Sequence, residues 1–405
     1  MRKYSRLGLF MGSGLIVSVA YMDPGNWGTN ISGGAAFNYD LIWVIWLASG
    51  MAMLFQYLSG KLGLAGYSLA ELVIKKIKKR WMQITYWLLA EIAVLATDLA
   101  EFLGIVVALN LLFKIPMLEG SFIAFFDVLL LLVFSEKRFR WLEKAFVGFV
   151  GIIGLAFLYE VIITKPDLNL ILVHSIKPIL TKESALIAVG IIGATVMPHA
   201  LFIHSWLTKR KTKEFKNKKE NLKYHTFDTV ASLTIAALIN AAMLIMAAAA
   251  FFHSGETIVT IEHAYYTLIP AFGNFAAIAF GVALLSAGIS SSITGTLSGQ
   301  AVMESLSGFK INIVVRRLIT RFINLIPLVI VILLNINPLN VLLYSQVLLS
   351  ILLPLPLIPL ILFTSDKKIM KELVNKKLTI ITAWVFGAVI LFFNIYLLYS
   401  ELIKL

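Results

Sequence analysis

At 405 residues, 59% hydrophobic and only 14% charged, the chain is far too apolar for a water-soluble domain of its length. It has no cysteine, which excludes thiolate metal chemistry and disulfides. A net charge of +13 would suggest a nucleic-acid partner only if its distribution were ignored, and that distribution argues against one.

A bilayer core about 30 Å thick needs about 20 apolar residues per helix. In chain order, eleven stretches meet that requirement: 8–38, 41–60, 82–113, 117–135, 145–164, 184–208, 226–252, 265–300, 314–334, 338–363 and 378–400. The first and sixth carry a proline in mid-span. The eighth is longer than one crossing requires and is expected to tilt and extend into the cytoplasm. The basic opening and apolar run of the first stretch resemble a signal peptide, but no small-residue cleavage pattern ends that run. It is therefore expected to be the first membrane helix.

Lysine and arginine fall in alternate loops, as the positive-inside rule requires. With the N-terminus inside, the inner segments hold 28 of the 35 basic residues: Arg2, Lys3 and Arg6, then Lys75 to Arg80, Lys137 to Lys144, Lys209 to Lys223, Lys310 with Arg316 and Arg317, and Lys367 to Lys377. The outer segments hold Lys114, Lys165, Lys177, Lys182 and Lys404. The expected protein is all-α and integral to the cell membrane. Its N-terminus is cytoplasmic, its C-terminus extracellular, and its partner is the lipid bilayer rather than nucleic acid.

The two interrupted spans are Asp23-Pro24-Gly25-Asn26 and Ala194-Thr195-Val196-Met197-Pro198-His199. Proline removes a backbone donor and clashes with the preceding turn, so each helix must break. Freed carbonyls at membrane depth are tolerated only inside protein or along a cavity. Spans 1–5 and 6–10 then form two halves, about 8–164 and 184–363, with an extra helix at about 378–400, all within one transmembrane domain, 1–405. Because five is odd, the halves take opposite orientations. This is the inverted-repeat logic of LeuT-type transporters, whose sites lie between the broken helices.

The breaks carry ligand chemistry. Asp23 near the centre of a membrane span costs about 2.5–3.5 kcal/mol on insertion scales and so calls for a cationic or polar partner. It is also well suited to cap the second half-helix. Asn26 adds a neutral oxygen, and the Ala194 carbonyl lies one turn before Met197. Met in an apolar helix is usually packing, yet here it directly precedes the breaking proline. A thioether mixed with oxygen donors favours first-row transition metals over Mg2+ and Ca2+. His199 and His204 stand five apart, about 140° around a helix, so they do not form the i, i+4 pair of a zinc hydrolase. Proton handling is the better role for at least one of them. In the third span, Glu91, Asp98 and Glu101 lie near one face. They are suited to a proton relay and to ion pairs with Arg316, Arg317 or Arg321, two compatible readings, since an acid–base ladder can conduct protons through shared partners.

These segments resemble the natural resistance-associated macrophage protein (Nramp) family of proton-coupled divalent metal transporters. The likeness extends to Glu91 through Glu101, Ser290 to Thr296 with Gly299-Gln300, Arg316 to Arg321, and Ser345-Gln346-Val347. One departure is Ala200, where the family often has Asn. The resemblance implies a LeuT-type fold, no enzymatic activity, and no cofactor beyond the transported ions. It also implies import of Mn2+, with Fe2+ accepted, coupled to proton entry by alternating access. The implied metal ligands are Asp23, Asn26, the Ala194 carbonyl and Met197, joined in some conformations by the Ala20 backbone and Gln346. The implied proton path uses Asp23, Asp98, Glu101 and His199, with Arg316 and Arg317 as partners. A monomer is expected. An amino-acid carrier of the same fold, a passive metal channel and an intramembrane metal hydrolase are the competing readings. Asp23 would repel a substrate carboxylate, the paired breaks favour a carrier over a channel, and the histidine spacing disfavours the hydrolase.

Overall fold

The computed structural model describes residues 13–127, 139–212, 218–252, 260–308 and 311–402. Arg2, Lys3, Arg6, Lys137, Lys310, Lys404 and the 128–135 part of the fourth expected span lie outside the described residues. The described regular structure is helical throughout. Its helices are α1 (Ser13–Ala20), α2 (Pro24–Phe37), α3 (Ile42–Leu64), α4 (Leu69–Lys76), α5 (Arg80–Phe113), α6 (Met117–Phe125), α7 (Phe139–Thr164), α8 (Leu168–Ile176) and α9 (Ala185–Thr195). They continue as α10 (Pro198–Thr212), α11 (Lys218–Phe251), α12 (Ile261–Phe272), α13 (Asn274–Val302), α14 (Ile313–Leu333), α15 (Pro338–Leu352), α16 (Pro354–Ser365), α17 (Lys367–Met370) and α18 (Lys377–Leu402).

Among the described residues, eight helical stretches are long and apolar enough to cross a membrane. Three expected spans are not among them. The first is split into α1 and α2, the fourth runs beyond the described residues, and α14 carries Arg316, Arg317 and Arg321 in its first half. Outward-facing leucine, isoleucine and phenylalanine side chains on α7, α14 and α18 remain exposed, as expected of surfaces that meet lipid.

Both proline breaks occur where expected. The first span stops at Ala20 and restarts at Pro24; the sixth stops at Thr195 and restarts at Pro198. Two further interruptions differ from the sequence expectation. The eighth span does not continue as one long tilted helix. Its excess length is a separate helix, α12, at the N-terminal end, cut off by Gly273 at φ +89°, where a side chain would be strained. The tenth span also divides, at Pro354, into α15 and α16.

The packing places the broken helices at the centre. Helix α2 lies against α11, α15 and α9; α10 lies against α3 and α13; α5 lies against α13 and α15. Contact between α9 and α15 is close enough to require glycine. A Cβ on Gly193 would stand 1.9 Å from the Gln346 carbonyl oxygen and 2.8 Å from the Ser350 nitrogen, both backbone atoms of α15. On α3, by contrast, a Cβ at Gly50 would meet nothing within 4 Å.

Gly193→Ala should therefore lower the stability of the detergent-purified protein by about 1–3 kcal/mol, the usual scale of overpacking. Gly50→Ala should leave the melting temperature unchanged or slightly raised. Thermal unfolding followed by size exclusion distinguishes the two.

Candidate functional site

The first break is organised by Asp23. Its backbone is extended, at φ −67° and ψ 166°, and its Oδ1 accepts the Asn26 amide N–H at 2.9 Å, capping α2 with Pro24 in the first helical turn. The capping role anticipated for Asp23 is thus real, but it occupies one oxygen only. The buried Oδ2 makes no hydrogen bond to any described residue.

The two breaks touch through a single side chain. Asn26 Nδ2 donates to Asp23 Oδ1 at 2.7 Å and to the Ala194 carbonyl at 3.1 Å. Asn26 Oδ1, also buried, has no hydrogen-bond partner among the described residues. Asp23, Asn26 and Ala194 are thereby brought together as expected, with two carboxylate and amide oxygens still able to accept. The Ala194 carbonyl has a second lone pair beyond the one Asn26 engages.

Three expected ligands remain. Met197 is completely buried within the second break. The Ala20 carbonyl accepts from the Asp23 nitrogen at 3.3 Å and is committed to the turn between α1 and α2. Gln346 sits between the breaks. Its Nε2 lies 1.9 Å from the position of a Cβ on Gly25, and its backbone abuts Gly193. Gln346 Nε2 donates to Ser345 Oγ at 3.1 Å, while its Oε1 is buried with no partner among the described residues. Asp23, Asn26, Ala194, Met197 and Gln346 have no exposed surface and Ala20 almost none, so the site is closed to solvent.

No group of three or more His, Asp or Glu side chains among the described residues could hold a metal ion. A cation at the junction would meet one carboxylate with amide and backbone oxygens, and Met197 is buried in the same break. The histidines diverge as their spacing required. His199 Nδ1 lies 3.1 Å from Thr97 Oγ1 on α5, and His204 Nδ1 lies 2.8 Å from Gln56 Oε1 on α3. The Thr97 hydroxyl also lies 3.1 Å from the Ala93 carbonyl; with its proton given there, His199 donates through Nδ1 and accepts through Nε2, which is buried with no hydrogen-bond partner among the described residues.

Beside this site, α5 and α14 share a charge cluster. Glu91 Oε2 pairs with Arg316 at 2.8 Å, and Asp98 pairs with Arg317 while accepting from Asn324 at 3.0 Å. The ion-pair alternative thus holds for Glu91 and Asp98. Glu101 differs: it is fully buried, and neither of its oxygens has a partner among the described residues.

Asp127, Gln56 and Asn324 had no place in the sequence analysis, and Ser292 was named only as part of the Ser290 to Thr296 segment. Asp127, just beyond α6, joins Arg317 at 2.8 Å and also pairs with Arg321. Ser292 on α13 donates to Asp127. Gln56 links His204 to the first break by donating to the Tyr21 hydroxyl at 2.7 Å. An acid inside the fourth apolar stretch was a visible signal for Asp127, and the Ser290 to Thr296 segment was one for Ser292, whereas Gln56 and Asn324 had none beyond polarity.

A Cβ at Gly25 collides with the flexible end of Gln346 rather than with backbone. Gly25→Ala should therefore keep the stability within about 1 kcal/mol of wild type while turning the Gln346 amide away from its contact with Ser345, which thermal unfolding and a crystal structure of the variant would show.

The comparisons agree with this architecture. The family model described as natural resistance-associated macrophage protein-like matches residues 14–400. A protein of Caldanaerobacter subterraneus subsp. tengcongensis named divalent metal cation transporter MntH is 43% identical over 397 residues, covering 97% of this chain and 93% of its own length. A Listeria innocua protein of the same name is 42% identical over 412 residues, covering 99% and 92%. Crystal structures of an Eremococcus coleocola manganese transporter superpose with a TM-score of 0.85 at 30% identity, covering 98% of this chain and 87% of that one. At 15% identity, a nucleobase-cation-symport-1 family transporter superposes with a TM-score of 0.63 over 98% of this chain and 90% of the other, a likeness of fold alone. The fold is the LeuT type expected from the paired breaks. This multi-pass membrane protein belongs to the natural resistance-associated macrophage protein-like (Nramp) family.

Proposed function

We propose that the protein imports divalent transition-metal ions, Mn2+ and also Fe2+, together with protons, by alternating access. It would work as a monomer and perform no chemical conversion. Its N-terminus would be cytoplasmic and its C-terminus extracellular. The observation that carries this reading is the junction of the two breaks, where Asp23, Asn26 and the Ala194 carbonyl converge with two buried oxygens still able to accept. The relatives named as divalent metal cation transporters support it.

Each candidate ligand has a distinct role. Asp23 Oδ2 supplies the charge that offsets a dication away from water. Asn26 Oδ1 and the Ala194 carbonyl supply neutral oxygens, and rotation of the Asn26 amide would free the carbonyl fully. Met197 supplies the soft donor that Ca2+ and Mg2+ do not reward. The Ala20 carbonyl would join only once the turn holding it opens, and Gln346 Oε1 would join from α15. Complete burial of these groups favours a carrier caught closed over a passive channel, which needs a continuous path. The halves at about 8–164 and 184–363 would rock about this junction to expose it to either side.

Protons would enter the same region. A metal arriving beside Asp23 displaces any proton that the carboxyl holds. His199, with Nε2 free to accept, and Glu101, with both oxygens unengaged, are placed to take part in onward transfer. Asp98 would exchange its proton against the guanidinium of Arg317, and Glu91 with Arg316 would extend the path along α5.

Purified protein in liposomes, with Mn2+ uptake and internal pH followed together, tests the proposal. Wild type should take up Mn2+ saturably and acidify the lumen, and Asp23→Ala should abolish both. Transport retained in Asp23→Ala would move the site elsewhere. Met197→Ala should lose discrimination against Ca2+ more than Mn2+ affinity, by roughly tenfold, about 1.4 kcal/mol. Equal losses for both ions would count against the thioether.

A further inference from the structure

Of the three arginines of α14, Arg316 is taken by Glu91, which leaves Arg317 and Arg321 to the other acids around them. Arg317 and Arg321 are both fully buried, and Asp98 is the only carboxylate of α5 that bonds either one. The second negative charge comes from α6. Asp127 receives Arg317 Nη2 at 2.8 Å and Arg321 Nε at 3.0 Å, as well as Arg321 Nη2 and the Ser292 hydroxyl. Arg321 reaches Asp98 chiefly through its backbone carbonyl, at 3.3 Å, with the nearest carboxylate contact at 4.0 Å, and it also lies 4.4 Å over the Phe102 ring. Arg321 is therefore held by Asp127, while Arg317 is divided between Asp127 and Asp98.

Resting on the proton-coupling reading above, we infer that Asp127 is the fixed counter-charge of the relay: by holding Arg321 and one arm of Arg317, it leaves Asp98 free to exchange a proton without stranding two buried guanidiniums. Asp127 is a positioning residue, since it touches neither candidate metal ligands nor His199. Stranding a buried charge by removing its partner is strongly destabilising, so the balance matters. The charged and titratable groups around Asp98 are few: Glu91 and Glu101 on its own helix, Arg316, Arg317 and Arg321 on α14, His199 on α10, and Asp127 beyond α6. Arg316 is taken by Glu91. His199 reaches α5 through Thr97 rather than through Asp98. Among the described residues, the setting of Asp98 is thus decided by how Arg317 and Arg321 are shared between Asp98, Asp127 and the unbonded Glu101.

Without the Asp127 charge, Arg317 and Arg321 are left to Asp98 and to Glu101, which lies in the field of both guanidiniums, so a proton added at either carboxyl must displace a guanidinium. Loading the proton then requires more acid. Removing the Arg321 charge should have the opposite effect.

The test is Mn2+-driven lumen acidification in proteoliposomes at external pH 5 to 8, alongside Mn2+ affinity at fixed pH. Asp127→Asn should move the half-maximal pH about one unit or more in the acid direction, with Mn2+ affinity kept within about twofold, a difference of ~0.4 kcal/mol. Asp127→Glu and the double variant Asp127→Asn/Arg321→Gln should return the profile to that of wild type. Arg321→Gln alone should move it towards alkaline pH, which keeps the inference testable should Asp127→Asn fail to insert. An Asp127→Asn profile that is lower at every pH but unshifted, an unshifted Arg321→Gln profile, or a double variant that stays displaced would each overturn the inference. Wild type that carries Mn2+ without acidification would overturn the coupling reading and this inference with it; an unshifted variant in a proton-coupled wild type overturns this one alone.

Discussion

Everything in this fold follows from two stretches of unpaired backbone at membrane depth. A helix satisfies all its backbone groups internally, and a proline in mid-span undoes that for roughly one turn. The chain solves the problem by bringing the two damaged turns together. Asp23 caps the restart of one helix, and Asn26 reaches from that cap to the Ala194 carbonyl at the end of another. Spare acceptors then collect at one buried point, and a mixed hard and soft donor set can form there without any cluster of acids or histidines.

The second constraint is charge in a medium that tolerates little of it. Helix α14 brings three arginines into the bundle, and each is answered by a carboxylate from another helix: Glu91 and Asp98 from α5, and Asp127 from the end of α6. Glu101 stands outside this accounting, buried and unpaired, close to where Gly295 of α13 leaves room for it. A cluster with one acid in excess suits proton movement better than a fully matched set, because protonation of that acid leaves the other pairs undisturbed.

Much of this was legible before any coordinates. Asp-Pro-Gly-Asn and Met-Pro-His name the breaks, and alternation of basic loops sets the expected topology. The α5 acids could be placed on one face by their spacing alone. What stayed hidden was of two kinds. Some contacts join distant helices through ordinary polar residues, such as Gln56 bridging His204 to Tyr21 or Asn324 meeting Asp98, and nothing local marks a glutamine or asparagine for such a task. Other misses concern helix ends. Gly273 divides the eighth span because its backbone takes a positive φ, a property that glycine permits but does not announce. Choosing between relay and ion pair for Glu91, Asp98 and Glu101 also required three dimensions, because helix spacing fixes a face and not the partner across from it.

The central claim is that the cargo binds where the two breaks meet. Anomalous diffraction from crystals of the protein grown with Mn2+ tests it most directly. The account predicts one strong manganese peak within bonding distance of Asp23, Asn26, the Ala194 carbonyl and the Met197 sulfur, and its disappearance in Asp23→Ala. A peak elsewhere in the bundle, or one at the break that survives loss of the carboxylate, would contradict it.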